Sequence, residues 1–90
     1  MTSIYKFAIG KAFGYRQIYP CAGSRFIDAQ EQDGQFVLWY EIPEITTADM
    51  PTTTIWILPT GMNVFPEGLS FEHLKTIQSN GLVYHIYKEI

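Results

Sequence analysis

Cysteine and histidine are scarce in this sequence. One cysteine, Cys21, occurs among the 90 residues, so no internal disulfide can form. One thiol and two histidines, His73 and His85, are too few for a structural zinc site, which uses four such ligands. We therefore expect no metal and no cofactor. Since a chain this short buries only about 60–65% of the surface exposed on unfolding, we expect further burial through a homo-oligomer.

Basic residues and long apolar runs are also in short supply. The chain has six Lys and Arg, which occur singly, and nine Asp and Glu, so its formal charge is −3. The sequence therefore lacks the basic patch that binding to duplex nucleic acid requires. No apolar run approaches the ~20 residues of a membrane span. Lys6 and Lys11 interrupt the first apolar stretch, which argues against a signal peptide. We expect a soluble intracellular protein with residues 1–90 as a single domain, contacting neither duplex nucleic acid nor membrane.

Branched and aromatic side chains are abundant instead. Isoleucine, valine, threonine and the aromatic residues together account for 36 of the 90 residues. These side chains pack well on pleated strands without losing further rotamer freedom. The composition predicts a mainly β fold, a small antiparallel barrel or sandwich of about six or seven strands.

Alternation and turn residues delimit the strands. They predict strands at residues 3–9, 15–19, 25–32, 36–42 and 52–58, and irregular segments at 43–51 and 63–70. In the third strand, Ile27 and Ala29 are expected on one face and Phe26 on the other. Asp33-Gly34 predicts a hairpin, because a type I′ turn needs positive φ at both central residues.

The last twenty residues allow two structures. Ser70 could cap a short helix over residues 71–79, with Gly81 as its stop signal. Alternatively, residues 72–78 and 82–88 form a hairpin around Asn80-Gly81. The Asn-Gly signal and the branched pair Thr76-Ile77 favour the hairpin.

Several predicted strands have two apolar faces. Trp39 opposes the face of Leu38 and Tyr40, and Trp56 opposes that of Ile55. Each aromatic side chain covers about 150–250 Å², so two bare tryptophans with neighbouring tyrosines exceed the apolar patch that monomers usually tolerate. Three interpretations remain open: the tryptophans are core of a curled sheet, they form a homo-oligomeric interface, or they bind a partner or ligand.

A few polar residues are candidate ligand contacts. Thr60 and Gly61 lie in a turn over residues 59–63, which either ends a strand or presents N–H groups to an anion. His85 shares a face with Tyr87 and is either a satisfied interior histidine or the polar group of an aromatic pocket. Arg25 is either an exposed ion-pairing residue or, near a tryptophan, a contact for a nucleotide.

The residue types of a catalytic triad occur, but their context does not support one. Cys21, Asp28 and a histidine are the right types, yet no nucleophile signature surrounds Cys21. If the last two strands pair, His73 lies opposite Tyr87 or Lys88, and we expect it far from His85. We predict no enzyme and no metal site, with a hydrolase acting through His85 or Cys21 as the weakest hypothesis.

The order of five motifs resembles a family of short bacteriophage and prophage proteins, catalogued as a domain of unknown function. The motifs are Pro20-Cys21-Ala22-Gly23, Gln30-Glu31-Gln32-Asp33-Gly34, Leu38-Trp39, Ile55-Trp56-Ile57-Leu58-Pro59-Thr60-Gly61 and Val83-Tyr84-His85-Ile86-Tyr87. The resemblance covers nearly the whole chain. It implies a strand over residues 73–78, a phage origin and action in the cytoplasm of the infected bacterium. The family supplies no known activity.

These observations lead to one expected function and one alternative. We expect a small non-enzymatic binding protein that counteracts a bacterial defence, either by sequestering a nucleotide-like signal or by blocking a host protein. Trp39, Trp56, Arg25, Thr60, Gly61 and His85 are its candidate contacts. The alternative is a structural or assembly accessory of the virion, acting through an oligomeric interface.

Overall fold

The fold is a two-layer sandwich of antiparallel sheets. The computed structural model describes residues 3–44, 48–62 and 66–90, which form seven strands and no helix. The strands are β1 (Ser3–Gly10), β2 (Gly14–Ile18), β3 (Arg25–Gln32), β4 (Gln35–Ile42), β5 (Thr53–Pro59), β6 (Phe71–Ser79) and β7 (Leu82–Glu89). One sheet has the order β1–β4–β3 and the other β2–β5–β7–β6, and neither closes into a barrel. The mainly β prediction is confirmed.

Both predicted two-residue hairpins are present. Asp33 and Gly34 have φ of 53° and 79°, and they join β3 to β4. Asn80 and Gly81 have φ of 52° and 79°, and they join β6 to β7. Positive φ at both central residues matches the right-handed twist of the paired strands. The helix over residues 71–79 is therefore wrong, and the hairpin prediction is confirmed.

Alternating residues from both sheets meet in one core. In β4, every second side chain is buried, from Phe36 through Leu38 and Tyr40 to Ile42. The facing sheet contributes mainly isoleucines; the buried residues of this sheet in the core cluster are Ile18, Ile55, Ile57, Ile77 and Ile86. Phe36 meets Tyr84 edge-on across the two sheets, with ring centroids 5.0 Å apart. The side chains on the opposite faces of these strands point away from this core, because successive residues of a strand alternate. Two of them, Val37 and Leu58, are nevertheless buried.

Register shifts interrupt three of the strand pairs. The shift in β1 lies between Ala8 and Gly10 and leaves the buried Ile9 unpaired, and the shifts in β3 and β6 change which side chains of those strands face the core. In β3 the register shifts between Phe26 and Asp28, so Ile27 is the extra residue and is exposed. Phe26 and Ala29 contact the core instead, and the predicted pairing of Ile27 with Ala29 on one face is wrong. In β6 the shift lies between His73 and Lys75. A bulge inserts one residue and thereby reverses the alternation beyond it.

Ion pairs join the two sheets where β3 and β6 approach each other. Lys75 Nζ lies 2.9 Å from Asp28 Oδ1. The hydrogen bond from Lys75 is the main cause that holds the pKa of Asp28 below its ordinary value, and the hydrogen bond from the backbone N–H of Ala29 is the second. Lys11, from the β1–β2 turn, pairs with Glu31 at 3.0 Å and donates to Ser79 Oγ at 2.6 Å. Hydrogen bonding by Ser79 and then by Lys11 lowers the pKa of Glu31.

The predicted irregular segments agree with the described part of the chain. Residues 43–44, 48–51 and 66–70 form no strand, while 45–47 and 63–65 lie outside the described residues. Nothing in the described ranges forms a helix long and apolar enough to cross a membrane.

Candidate functional site

The two tryptophans lie on opposite outer faces of the sandwich. Trp39 is on β4 of the three-stranded sheet, directly opposite Lys6 and Asp28. Trp56 is on β5 of the four-stranded sheet. Both are only partly buried and neither belongs to the core cluster. Their interpretation as plain core residues is therefore wrong, and they cannot belong to one site.

An aromatic row crosses the outer face of the four-stranded sheet. It consists of four residues placed directly opposite one another on adjacent strands: Tyr15, Trp56, Tyr87 and His73. The rings of Tyr15 and Trp56 are 5.2 Å apart and tilted by 40°, and those of His73 and Tyr87 are 5.2 Å apart at 71°. Directly opposed side chains on paired strands are close enough to interact, so the row places four rings side by side across the sheet.

The indole of Trp56 is held in a fixed orientation. Its Nε1 donates to Glu89 Oε1 at 3.3 Å. The ring of Phe71 meets it edge-on at 5.8 Å and 89°. Glu89, Phe71 and Tyr15 together fix the orientation of the indole ring. A fixed ring reduces the ordering cost of binding a ligand.

A threonine–histidine chain adjoins the aromatic row. Thr60 Oγ1 lies 2.8 Å from His85 Nε2, His85 Nδ1 lies 3.0 Å from Thr76 Oγ1, and Thr76 Oγ1 lies 2.9 Å from His73 Nε2. The two histidine rings are 6.3 Å apart. His73 does pair with Tyr87, but the expected separation of the histidines is wrong. The bulge in β6 turns His73 outward beside Thr76, which faces His85 across the hairpin.

The threonine–histidine chain can run in two directions. Thr76 Oγ1 carries one hydrogen, so it donates to one imidazole and accepts from the other. In one direction Thr60 donates its hydroxyl hydrogen to His85. In the other direction His85 Nε2–H donates to Thr60, whose hydroxyl hydrogen is then free for an acceptor outside the chain. The outer end at Thr60 can thus serve as acceptor or donor for a ligand.

A shallow pocket lies at the Thr60 end of this chain. Its volume is about 220 Å³, and its lining includes Thr60, Gly61, Met62, His85 and Tyr87. The pocket therefore touches both the aromatic row, at Tyr87, and the threonine–histidine chain. It opens to solvent beside rings and hydroxyls, a combination that suits a flat ligand with polar edges.

The turn that forms this pocket depends on Gly61. Thr60 N–H donates to Val83 O at 2.9 Å, and Met62 N–H donates to Pro59 O at 3.1 Å, closing a turn. Gly61 has φ of 95°, which glycine adopts without strain. The interpretation as a strand-ending turn is confirmed for residues 59–62, and Asn63 lies outside the described residues.

Arg25 belongs to a different part of the molecule. It lies on β3, opposite Glu41, and its Nη2 is 3.3 Å from Glu41 Oε1. Glu41 shares the outer face of the three-stranded sheet with Trp39. Arg25 and Trp39 are therefore separated by the core from Trp56, Thr60, Gly61 and His85. The structure does not combine Trp56 with Arg25 in one nucleotide site.

The triad residue types are not brought together. Cys21 Sγ contacts Ser24 Oγ at 3.5 Å, Asp28 pairs with Lys75, and both histidines contact threonines. Across the described ranges, no three His, Cys, Asp or Glu side chains cluster as metal ligands would.

Sequence reasoning missed three members of the site: Tyr15, His73 and Thr76. The position of Thr76 could have been found, because a two-residue turn at Asn80-Gly81 places residues 76 and 85 opposite each other. The outward position of His73 requires the bulge. The position of Tyr15 requires the pairing of β2 with β5, which no local turn specifies.

Comparison with known proteins places the chain in a family. The whole chain, residues 1–90, matches a family model described as a domain of unknown function (DUF7352). No curated protein and no solved structure matches.

Proposed function

The chain belongs to the DUF7352 family, whose function is unknown, and we propose that it is a non-enzymatic protein that sequesters a small nucleotide-like molecule. The binding surface is the outer face of the four-stranded sheet. The observation that carries the proposal is the aromatic row beside the pocket at Thr60 and His85. The nucleobase stacks on the row, and its polar edge bonds with the threonine–histidine chain.

Stacking on the aromatic row supplies most of the binding energy for the nucleotide-like ligand. A base that stacks on an aromatic side chain contributes about 1–3 kcal/mol, and every base has a ring face to offer. Trp56 has the largest ring of the row and is oriented by Glu89 and Phe71.

The pocket selects the base rather than the phosphate. Its volume of about 220 Å³ is below the range of about 300–1,000 Å³ that is typical for drug-sized ligands, so it accommodates the polar edge of a base whose ring lies on the aromatic row, while the sugar and phosphate stay outside. No lysine or arginine is among the described residues that line it. The hydroxyl of Thr60 provides a donor or an acceptor for the edge of the base.

The biological setting of the proposal rests on the resemblance of the five sequence motifs to phage proteins. Under this proposal the protein acts in the cytoplasm of the infected bacterium and removes a nucleotide signal of a defence system.

The test is a titration that follows tryptophan fluorescence. The variant Trp39→Leu serves as the background, because Trp56 is then the chain's single tryptophan. Adenosine, AMP and cyclic AMP are the probes. We expect quenching by all three with similar affinities, because the base rather than the phosphate is recognised.

Substitutions on the two faces make the titration specific. The affinity for the probes, measured by calorimetry, should fall about 5- to 150-fold in Trp56→Leu. This fold-change corresponds to the loss of one stacked base. Thr60→Val should weaken it about 2- to 10-fold, the effect of losing one hydrogen bond. Trp39→Leu is the matched control and should bind like the wild type. If none of the three probes binds, or if Trp56→Leu binds as well as Trp39→Leu, the proposal is wrong.

A second candidate function rests on the extent of the same face. The aromatic row spans all four strands of its sheet, and Tyr15 at its end is exposed. An apolar face of this kind is also typical of subunit interfaces. As a homo-oligomeric virion or assembly accessory, the protein would show a multiple of 10.3 kDa by native mass measurement. Trp56→Leu should then reduce the mass to that of one chain, whereas Trp39→Leu should not.

A further inference from the structure

A second pocket opens at one end of the sandwich, away from the aromatic row. Its floor is formed by Phe7 and Ile42 of the three-stranded sheet and by the buried Pro20. Tyr5 and Met50 lie at its exposed rim, where they are 57% and 56% accessible. We call this cavity of about 270 Å³ the end pocket.

The walls of the end pocket are fixed by hydrogen bonds. Ala22 N–H donates to Asp49 O at 3.0 Å, which ties the β2–β3 loop to the β4–β5 loop. Ser24 donates to Cys21 O through both its backbone N–H, at 3.1 Å, and its hydroxyl, at 2.6 Å. Cys21 is a lining residue, and its Sγ lies 3.5 Å from Ser24 Oγ. These bonds hold the loops around the pocket in place, which lowers the ordering cost of binding.

The lining of the end pocket determines the chemical class of its ligand. Among the described residues that line it, none is Lys, Arg, Asp or Glu, so a charged ligand would lose hydration without gaining a partner. Tyrosine rings and a methionine sulfur favour aromatic rings as neighbours. A dry cavity of about 150 Å³ already accepts benzene, so this volume suits one ring or two fused rings.

We propose that the end pocket is a second, independent binding site for a small uncharged aromatic molecule of one or two fused rings. The site shares no lining residue with the pocket at Thr60. It therefore does not depend on nucleotide binding at the aromatic row.

The experiment uses Cys21 as a reporter, since it is the single cysteine of the chain. The rate of its alkylation by iodoacetamide is measured with increasing indole, and two-dimensional amide NMR follows the same titration. We expect indole to slow alkylation at least fivefold at saturation and to shift the amide signals of the residues around the pocket. Indole-3-carboxylate, which adds one negative charge, should bind at least tenfold more weakly.

Two methionine variants locate the effect. Met50→Glu places a charge at the rim of the end pocket and should weaken the protection of Cys21 by indole at least tenfold. Met62→Glu is the matched control, because Met62 is also exposed but lines the other pocket. The proposal is overturned if millimolar indole leaves both the alkylation rate and the amide signals unchanged. It is equally overturned if Met50→Glu and Met62→Glu retain the same protection, or if the carboxylate binds as well as indole.

Discussion

The hydroxyl of Tyr40 gives the sharpest test of the packing between the sheets. Tyr40 is 5% exposed, and its hydroxyl oxygen is buried with no hydrogen-bond partner among the described residues. Its ring packs edge-on against Phe7 at 5.6 Å and Phe26 at 5.7 Å, contacts that a phenylalanine would keep. A buried hydroxyl without a partner costs about 1–3 kcal/mol. Tyr40→Phe should therefore raise the free energy of unfolding at pH 7 by about 1 kcal/mol.

Alkaline pH should increase the advantage of this variant. Burial, followed by the negative charge of Glu72, raises the pKa of Tyr40 to about 12 from the ordinary value of 10.0. Since the pKa of Tyr40 is higher in the folded state, the stability that the neutral phenol contributes is fully present below pH 10. That contribution is lost as the pH rises towards 12. A difference of two pKa units corresponds to about 2–3 kcal/mol, which the wild type loses and Tyr40→Phe does not.

The assay is urea unfolding of both proteins at several pH values between 7 and 11.5. Tyr5→Phe, at an exposed tyrosine, is the matched control and should change the stability by less than about 0.5 kcal/mol at pH 7. A loss of more than 1 kcal/mol in Tyr40→Phe at pH 7 would refute the reasoning, because the hydroxyl would then have a stabilising partner. Identical pH profiles of Tyr40→Phe and wild type would refute the assignment of a buried neutral phenol.

Three further substitutions test the core, a turn and the ion pair between the sheets. Ile57→Ala should lower the free energy of unfolding by about 2–5 kcal/mol in urea, because Ile57 is fully buried; a loss below 1 kcal/mol would contradict its place in the core. Gly34→Ala should cost about 1 kcal/mol in the same assay, because its φ is 79° although the space around it is open, and a neutral result would contradict the turn. The lowered pKa of Asp28 means that its stabilisation is present above its ordinary pKa, 3.8, and is lost as the pH falls through the lower, folded value. Lys75→Met should make unfolding less sensitive to acid below pH 4, and an unchanged acid profile would argue against the pair.

The aromatic row and the end pocket both contain apolar side chains that are exposed to solvent. Trp56 and Tyr15 lie on an outer face, and Tyr5 and Met50 surround a cavity, so these apolar side chains do not add to the core. Surface of this kind costs solubility unless something covers it. The two proposed ligands would cover different parts of it, and the two sets of variants separate them.

The sequence by itself determined the strand content and the hairpin at Asp33-Gly34, and it favoured the hairpin at Asn80-Gly81 over a helix. Asp33-Gly34 and Asn80-Gly81 are local signals, because only a few residue types adopt positive φ at both turn positions. The turn at Asn80-Gly81 also determines that Thr76 faces His85, since strand pairing is counted outward from the turn.

Only the tertiary structure decided which residues form the candidate site. The bulge in β3 moves Phe26 to the core face of its sheet, and the bulge in β6 moves His73 to the outer face of the other sheet. Where a bulge forms depends on how the partner strand and the core accommodate the extra residue. The division of Trp39 and Trp56 between opposite faces follows from the assignment of β4 and β5 to different sheets. That assignment comes from pairing between segments distant in the chain, where the burial of the whole core selects one arrangement and no local signal does.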